Sequence, residues 1–148
     1  MIREIKGDMF AFVTKDDYIA HCISNDFVLG AGIAKTIDEK YHVRNILKGS
    51  KTYKDLSDRY TDGTGYVLVT GNVFNLVTKR YFYNKPSYAS IAMSIDKLAM
   101  VCKQRGIQRI HMPRIGCYDS DGLKWESVYK LICHSFCNSG VDVYIYNL

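Results

Sequence analysis

The 148-residue sequence lacks the segments that direct a protein into a membrane or a secretory route. It has no run of about 18 apolar residues, the length that a membrane-spanning helix requires. The amino-terminal stretch MIREIKGDMF has no apolar signal-peptide core, and basic residues never occur in runs longer than two. We therefore expect a soluble protein with no membrane partner. Its expected location is the cytoplasm, with the nucleus or, for a viral protein, the host cytoplasm as alternatives.

The sequence also lacks a cysteine pattern. The five cysteines are an odd number with no C-x-x-C pair, which favours reduced thiols over a disulfide framework. Cys133 and Cys137 have helical spacing, and we expect both to pack as small apolar side chains. No His, Cys or Asp cluster has the spacing of metal ligands. The sequence thus predicts neither a metal site nor a cofactor.

The composition is that of one globular domain over residues 1–148. Hydrophobic residues make up 47% and charged residues 24%, and the chain is long enough for a core of its own. Twenty Lys and Arg against 15 Asp and Glu give a net charge of +5. This excess suits an anionic ligand, but it is too small and scattered to predict a nucleic-acid partner. Nothing in the sequence requires more than a monomer.

Strand and helix patterns alternate along the chain. Residues 18–24 (YIAHCIS) form an apolar run typical of a buried central strand. Residues 66–70 and 73–83 read as two strands joined by a hairpin turn at Gly71-Asn72. Helical patterns run from about Pro86 to Arg105 and from Leu123 onward. The order predicts a three-layer α/β domain around a mixed central sheet, since the hairpin rules out a purely parallel one.

Two glycine-bearing loops each follow a predicted strand and precede a predicted helix. The first is GAGIA at 30–34, and the second runs from Gly116 to Gly122. Backbone N–H groups at such a helix start converge on anions, and glycine lets the backbone approach a ligand closely. Together the loops would hold a diphosphate from two sides. Either loop alone is equally consistent with a simple packing or turn role.

Six segments, in order and over nearly the whole chain, resemble a known family. They are GDMF (7–10), AHCISNDFVLGAGIAKTI (20–37), LVTKR (76–80), NKPSY (84–88), MPRIGC (112–117) and DGLKWE (121–126). These segments resemble macrodomains and, more narrowly, the terminal ADP-ribose protein glycohydrolases. The resemblance implies an α/β/α sandwich that binds ADP-ribose or an ADP-ribosylated protein.

The resemblance also implies a set of ligand contacts. Asp8 would accept from the adenine amine, the loop at 30–34 would lie near the distal ribose and the diphosphate, and 116–122 would bind the diphosphate. Each of four residues has a structural alternative. Asp8 would instead cap a turn or helix, and His21 would be a core residue. Tyr146 and Leu148 at the carboxyl terminus would belong to an edge strand. The predicted ligand-binding residues are Asp8, Met9, His21, Ser24, Gly30, Ala31, Gly32, Ile33, Ala34, Ile115, Gly116, Cys117, Tyr118, Asp119, Ser120, Gly122, Tyr146 and Leu148.

By the same resemblance Lys79 and Asp121 are the catalytic residues. A lysine amine that is partly neutral can attack the anomeric carbon of the distal ribose and displace a carboxylate. A carboxylate opposite can move the protons. As alternatives, Lys79 is a solvated surface residue or Arg80 beside it is the paired group instead, and Asp121 or Ser120 caps the helix that follows.

The loop from Cys117 to Asp121 departs from the family pattern. It is one residue longer than that branch leads us to expect, and it carries an additional carboxylate at Asp119. Either Asp119 or Asp121 is therefore the candidate acid and base.

The function that follows is removal of mono-ADP-ribose from acidic side chains. The first alternative is hydrolysis of a small derivative, either ADP-ribose 1″-phosphate or an O-acyl-ADP-ribose. A non-catalytic ADP-ribose reader is the second. A binder of RNA or poly(ADP-ribose) ranks last, because it draws only on the charge and the twelve Tyr and six Phe residues.

Overall fold

A computed structural model describes residues 1–53, 55, 63–117 and 122–148. In this part of the chain six strands form one sheet in the order β1-β6-β5-β2-β4-β3. All neighbours pair in parallel except β3 and β4, which form the antiparallel hairpin at Gly71-Asn72. The mixed sheet is therefore confirmed. The strands are β1 (Ile2–Lys6), β2 (Ile19–Ser24), β3 (Tyr66–Thr70), β4 (Val73–Lys79), β5 (Arg109–Pro113) and β6 (Asp142–Asn147).

Helices cover both faces of the sheet. A short 3-10 turn (Met9–Ala11) follows β1, and the helices are α1 (Gly32–Tyr41), α2 (Val43–Gly49), α3 (Tyr88–Gln104) and α4 (Trp125–Phe136). The longest, α3, begins with a capping box in which the side chains of Ser87 and Ser90 bind each other's backbone N–H groups. None of the helices in the described ranges is long and apolar enough to cross a membrane.

Two apolar cores lie on opposite faces of the sheet. The alternation of side chains along β2 sends Ala20 and Cys22 to one face, where α3 and α4 pack, and Ile19 and Ile23 to the other, where α1 and α2 pack. Since both faces of β2 are buried, the strand reads as a continuous apolar run in the sequence. The two cores make the three-layer α/β/α fold that was predicted.

Three local predictions were wrong. The strand predicted over 73–83 ends at Lys79, because a turn closed by Asn84 follows it. In that turn Tyr81 N–H donates to Asn84 Oδ1 and Asn84 N–H donates to the Tyr81 carbonyl, each at 2.9 Å. Helix α4 begins at Trp125 rather than at Leu123. Cys137 is exposed rather than packed, although Cys133 is half-buried as expected on the same helix.

Candidate active site

A cavity of about 600 Å³ opens at the carboxyl ends of β2 and β4. This is the edge of a parallel sheet at which α/β proteins bind ligands. Seven of the predicted site residues line it: Ser24, Gly30, Ala31, Gly32, Ile33, Ala34 and Lys79. The cavity thus brings together the end of β2, the first glycine loop and the predicted catalytic lysine.

The loop between β2 and α1 has an unusual backbone. Phe27 and Leu29 both have left-handed conformations, with φ of 57° and 45°, and their side chains are buried. Such residues persist only where packing enforces them, and they concentrate at functional sites. Beyond them Ala31 leads into α1 without a side-chain cap. The first N–H groups of α1 therefore remain available to an anion at the cavity wall.

Lys79 is the last residue of β4 and is half-buried. Its Nζ donates a hydrogen bond to the backbone carbonyl of Phe82 at 3.0 Å. Among the residues with described positions, no carboxylate lies within ion-pairing distance of this Nζ. Lys79 therefore lines the cavity with one N–H bound to a neutral backbone acceptor.

Asp26 was not predicted from the sequence, yet it connects the two loops of the site. Its Oδ1 accepts from the Ser24 hydroxyl and from Val28 N–H at 3.3 Å, while Oδ2 accepts from Phe82 N–H at 2.8 Å. The carboxylate therefore joins the loop after β2 to the turn after β4, whose Phe82 carbonyl binds Lys79. The available signal was its position just after a buried strand, where Asp commonly binds the backbone of its own turn.

The cavity wall also includes residues that sequence reasoning missed. Thr78, Phe82 and Pro86 line it beside Lys79. Phe82 combines two roles, since its carbonyl accepts from Lys79 and its side chain, 57% exposed, lies at the cavity. The sequence pattern placed Phe82 in the strand predicted over 73–83, so it did not predict that Phe82 belongs to the site.

His21, predicted as a ligand-binding residue, is not among the residues that line the cavity. His21 is fully buried in β2, where its Nε2 lies 2.6 Å from Asn75 Oδ1 on the adjacent strand β4. Burial lowers the pKa of His21 to about 4, with the Asn75 hydrogen bond opposing the shift. His21 is therefore a neutral core residue at physiological pH, the alternative that its apolar strand allowed.

The residues predicted on the adenine side lie along the same edge of the sheet but outside the cavity wall. Asp8 is exposed after β1 and accepts from Phe10 N–H at 3.0 Å, which confirms its role as a turn cap. Met9 is buried in the core between the sheet and α1. Tyr146 is also buried, with its hydroxyl 2.7 Å from His111 Nδ1, whereas Leu148 is 89% exposed. Contacts from these residues to adenosine stay predictions.

The second glycine loop is described only at its two ends. Ile115 and Gly116 are buried, and Cys117 and Gly122 are half-buried. The Gly116 carbonyl accepts from Leu123 N–H at 2.8 Å, which draws the two ends of the loop together. Burial raises the pKa of the Cys117 thiol. Four predicted site residues lie outside the described part of the chain: Tyr118, Asp119, Ser120 and Asp121.

No metal centre is formed by the described residues, in which no group of three or more His, Cys, Asp or Glu side chains is placed to hold an ion. What the cavity offers is an N–H-rich helix start and one basic amine. This combination suits an anionic ligand with an electrophilic carbon near Lys79.

The chain is similar to proteins of one family in sequence and in fold. No family model matches it. It is 33% identical to the human ADP-ribose glycohydrolase OARD1 over 148 residues, which cover 99% of this chain and 91% of that protein. The bovine protein of the same name is 32% identical over the same shares of the two chains.

Solved structures show the same fold at lower sequence identity. The macrodomain of Thermus aquaticus DarG superposes with a TM-score of 0.78 at 18% identity, covering 100% of this chain and 99% of that one. Thermosipho africanus DarTG in complex with ADP-ribose gives 0.73 at 19% identity, with 98% of this chain and 41% of that one covered. With the three-layer fold and the full-length match to OARD1, the chain belongs to the macrodomain family, in its terminal ADP-ribose glycohydrolase branch.

Proposed function

We propose that this protein is an ADP-ribose glycohydrolase that removes mono-ADP-ribose from acidic side chains, with Lys79 as its nucleophile. The observation that carries the proposal is that Lys79 lines the same cavity as the first glycine loop. The full-length similarity to proteins named ADP-ribose glycohydrolases supports the hydrolase class.

The ligand would lie across the N-terminus of α1. Its diphosphate would accept from backbone N–H groups at 30–34, where the helix start has no side-chain cap and the helix dipole favours negative charge. The distal ribose would then extend toward Lys79, which lines the same cavity. The second glycine loop would complete the diphosphate site, and Asp8 would bind the adenine amine.

The reaction would proceed in two steps. In the first, the neutral Lys79 amine attacks C1″ of the distal ribose, a C–N bond forms, the C1″–O bond to the glutamate breaks, and the glutamate carboxylate leaves. The proton released from nitrogen passes to a carboxylate of the second loop, for which Asp121 is the first candidate and Asp119 the alternative. In the second step, water adds to C1″, the C–N bond breaks, and the amine and free ADP-ribose are regenerated.

The proposal is tested by a panel of substrates given to the wild-type protein. A protein mono-ADP-ribosylated on glutamate, O-acetyl-ADP-ribose and ADP-ribose 1″-phosphate are each incubated with it, and free ADP-ribose is followed with time. Release from the glutamate conjugate supports the proposal. Release from only the acetyl ester or only the phosphate would replace it with a small-ester or phosphate hydrolase, and tight ADP-ribose binding without any release would make the protein a reader.

A further inference from the structure

The turn after Lys79 exposes three aromatic residues and an arginine beside them. We call residues Arg80 to Tyr83 the aromatic cluster. Tyr81, Phe82 and Tyr83 are 40%, 57% and 69% exposed. Their rings contact one another: Tyr81 and Tyr83 stack at 5.4 Å and 10°, and Phe82 meets Tyr83 edge-on at 5.4 Å. Adjacent exposed aromatic rings of this kind are characteristic of a binding surface, since isolated ones need no explanation but contiguous patches do.

The aromatic cluster is held in place by backbone hydrogen bonds. Asn84 closes the turn through two bonds with Tyr81, and Asp26 accepts from Phe82 N–H at 2.8 Å. The surface is therefore ordered before any partner arrives, which reduces the entropy lost on binding.

The aromatic cluster also lies where the acceptor must leave the active site. The bond that joins ADP-ribose to its acceptor begins at the carbon that Lys79 would attack. Lys79 immediately precedes the cluster, and Phe82 belongs both to the cluster and to the cavity wall. The chain that carries the modified residue must therefore emerge beside these rings.

The charge of the segment favours an acidic acceptor. Residues 63–95 contain no Asp or Glu, while they include Lys79, Arg80 and Lys85. The Arg80 guanidinium lies 5.2 Å from the Tyr81 ring and has no carboxylate partner among the residues that are described. Among the described residues, the carboxylate of Asp26 contacts the cluster, and it is engaged by Ser24, Val28 and the Phe82 backbone.

We propose that the aromatic cluster is the docking surface for the polypeptide around the modified carboxylate, and that it selects acceptor segments with further acidic residues. The proposal rests on the proposed hydrolysis of acidic-side-chain conjugates. Arg80 pairs with an acidic flanking residue, and the rings of Tyr81 and Tyr83 pack against the peptide chain. The cluster thereby distinguishes a protein conjugate from free ADP-ribose.

Binding to hydrolysis-resistant conjugates tests the surface independently of turnover. Two peptides carry ADP-ribose on a glutamine amide in place of the glutamate ester, one flanked by aspartates and the other by asparagines. Their Kd values and that of free ADP-ribose are measured by calorimetry with the wild type, Arg80→Gln, Tyr83→Ala and Tyr83→Phe. Arg105→Gln is the matched charge control, since Arg105 is exposed just beyond the far end of the 17-residue helix α3.

The wild type should bind the aspartate peptide about two- to fivefold more tightly than the asparagine peptide at low salt, the range of an exposed ion pair. High salt should remove this preference. Arg80→Gln should abolish it and Arg105→Gln should retain it. Tyr83→Ala should weaken the binding of both peptides relative to that of free ADP-ribose. Tyr83→Phe should keep most of the peptide affinity because the ring remains.

Equal affinity of the wild type for the two peptides, or equal effects of Arg80→Gln and Arg105→Gln, would overturn the proposal. An ADP-ribosylated single-stranded oligonucleotide is the comparison ligand. If the affinity for this oligonucleotide depends on Arg80 and Tyr83, while the peptides bind no better than free ADP-ribose, the cluster binds nucleic acid instead. If the peptides bind as expected but the glutamate ester is not cleaved, the proposed hydrolysis fails and the docking surface stands.

Discussion

The Nζ of Lys79 lies 3.0 Å from the backbone carbonyl oxygen of Phe82, three residues further along the chain. A neutral amine that donates one N–H to a fixed acceptor has its lone pair restricted to the remaining tetrahedral directions. The carbonyl is itself fixed, because the N–H of the same residue donates to Asp26. If Lys79 is the proposed nucleophile, its orientation depends on a carboxylate that does not touch it.

Asp26→Asn should slow catalysis through this connection. An asparagine can offer one acceptor oxygen to the turn at Val28, but its amide nitrogen cannot accept from Phe82 N–H. We expect kcat to fall roughly 10- to 100-fold, the cost of misplacing a reacting group by about 1 Å, with a smaller rise in KM. Steady-state kinetics on the glutamate conjugate measure both.

Asp38→Ala is the control for that variant, because an asparagine at position 38 would keep the one acceptor oxygen that Asp38 uses. Asp38 also accepts from a backbone N–H, that of Arg44 at 2.8 Å, but it lies at the far end of α1. Both variants should lose similar stability, about 1 kcal/mol for a lost hydrogen bond, and only Asp26→Asn should lose kcat. Equal kinetics of the two variants would show that Asp26 only stabilises the fold.

Gly116→Ala should damage the second loop through two separable effects. Gly116 has φ of +77°, and an added Cβ would lie 3.1 Å from Cδ1 of the buried Ile91. Gly140 has φ of +75° with no atom within 4 Å of such a Cβ, so Gly140→Ala isolates the backbone strain. We expect the backbone strain to lower the free energy of unfolding by about 1–2 kcal/mol in both variants. The contact with Ile91 should lower it by at least about 1 kcal/mol more in Gly116→Ala. Urea unfolding measures both losses.

The same pair of variants tests the role of the loop in binding. If residues 116–122 hold the diphosphate, Gly116→Ala should weaken ADP-ribose binding measured by calorimetry, and Gly140→Ala should leave it unchanged. Unchanged affinity in both would remove the second loop from the ligand site.

His21 should make the protein less stable in mild acid. Its folded-state pKa of about 4 lies below the ordinary value of 6.5, so the unfolded state binds more protons between these values. The contribution of neutral, buried His21 to the free energy of unfolding is complete above pH 6.5 and is lost as the pH falls toward 4. At pH 5 the loss is about 2 kcal/mol.

The measurement is urea unfolding at pH 7 and pH 5 for the wild type and for His21→Gln, whose amide can replace the contact to Asn75. The variant should lose less stability between the two pH values. The remaining loss includes His111, whose pKa burial also lowers, with Asp17 opposing and Arg109 adding to the shift. A pH dependence equal to that of the wild type would contradict the assignment of His21 as a neutral core residue.

The sequence predicted the layers better than it predicted the contacts between them. The apolar run of β2 and the helical spacing of α3 are local patterns, and local patterns survive in the fold. The aromatic residues after Lys79 have high strand propensity, yet the chain turns there because Asn84 closes the turn and Asp26 holds Phe82 N–H.

Tertiary pairings account for the rest of what the sequence did not predict. The buried partner of His21 lies 54 residues away on a strand whose register no local pattern specifies. The Phe82 partner of Asp26 is 56 residues away. Ser24, Lys79 and the loop at 30–34 were predicted to share a site because the family resemblance assigns them to one ADP-ribose site, and they line one cavity.

The most direct test of the account compares the wild type, Lys79→Ala and Lys79→Arg on a protein mono-ADP-ribosylated on glutamate. Free ADP-ribose is followed with time, and calorimetry with ADP-ribose reports folding and binding in each variant. The wild type should release ADP-ribose, and both variants should lose this release while they still bind ADP-ribose. Arginine fails because its guanidinium stays charged and cannot act as a nucleophile. Release by Lys79→Ala at a rate near that of the wild type would contradict the lysine mechanism.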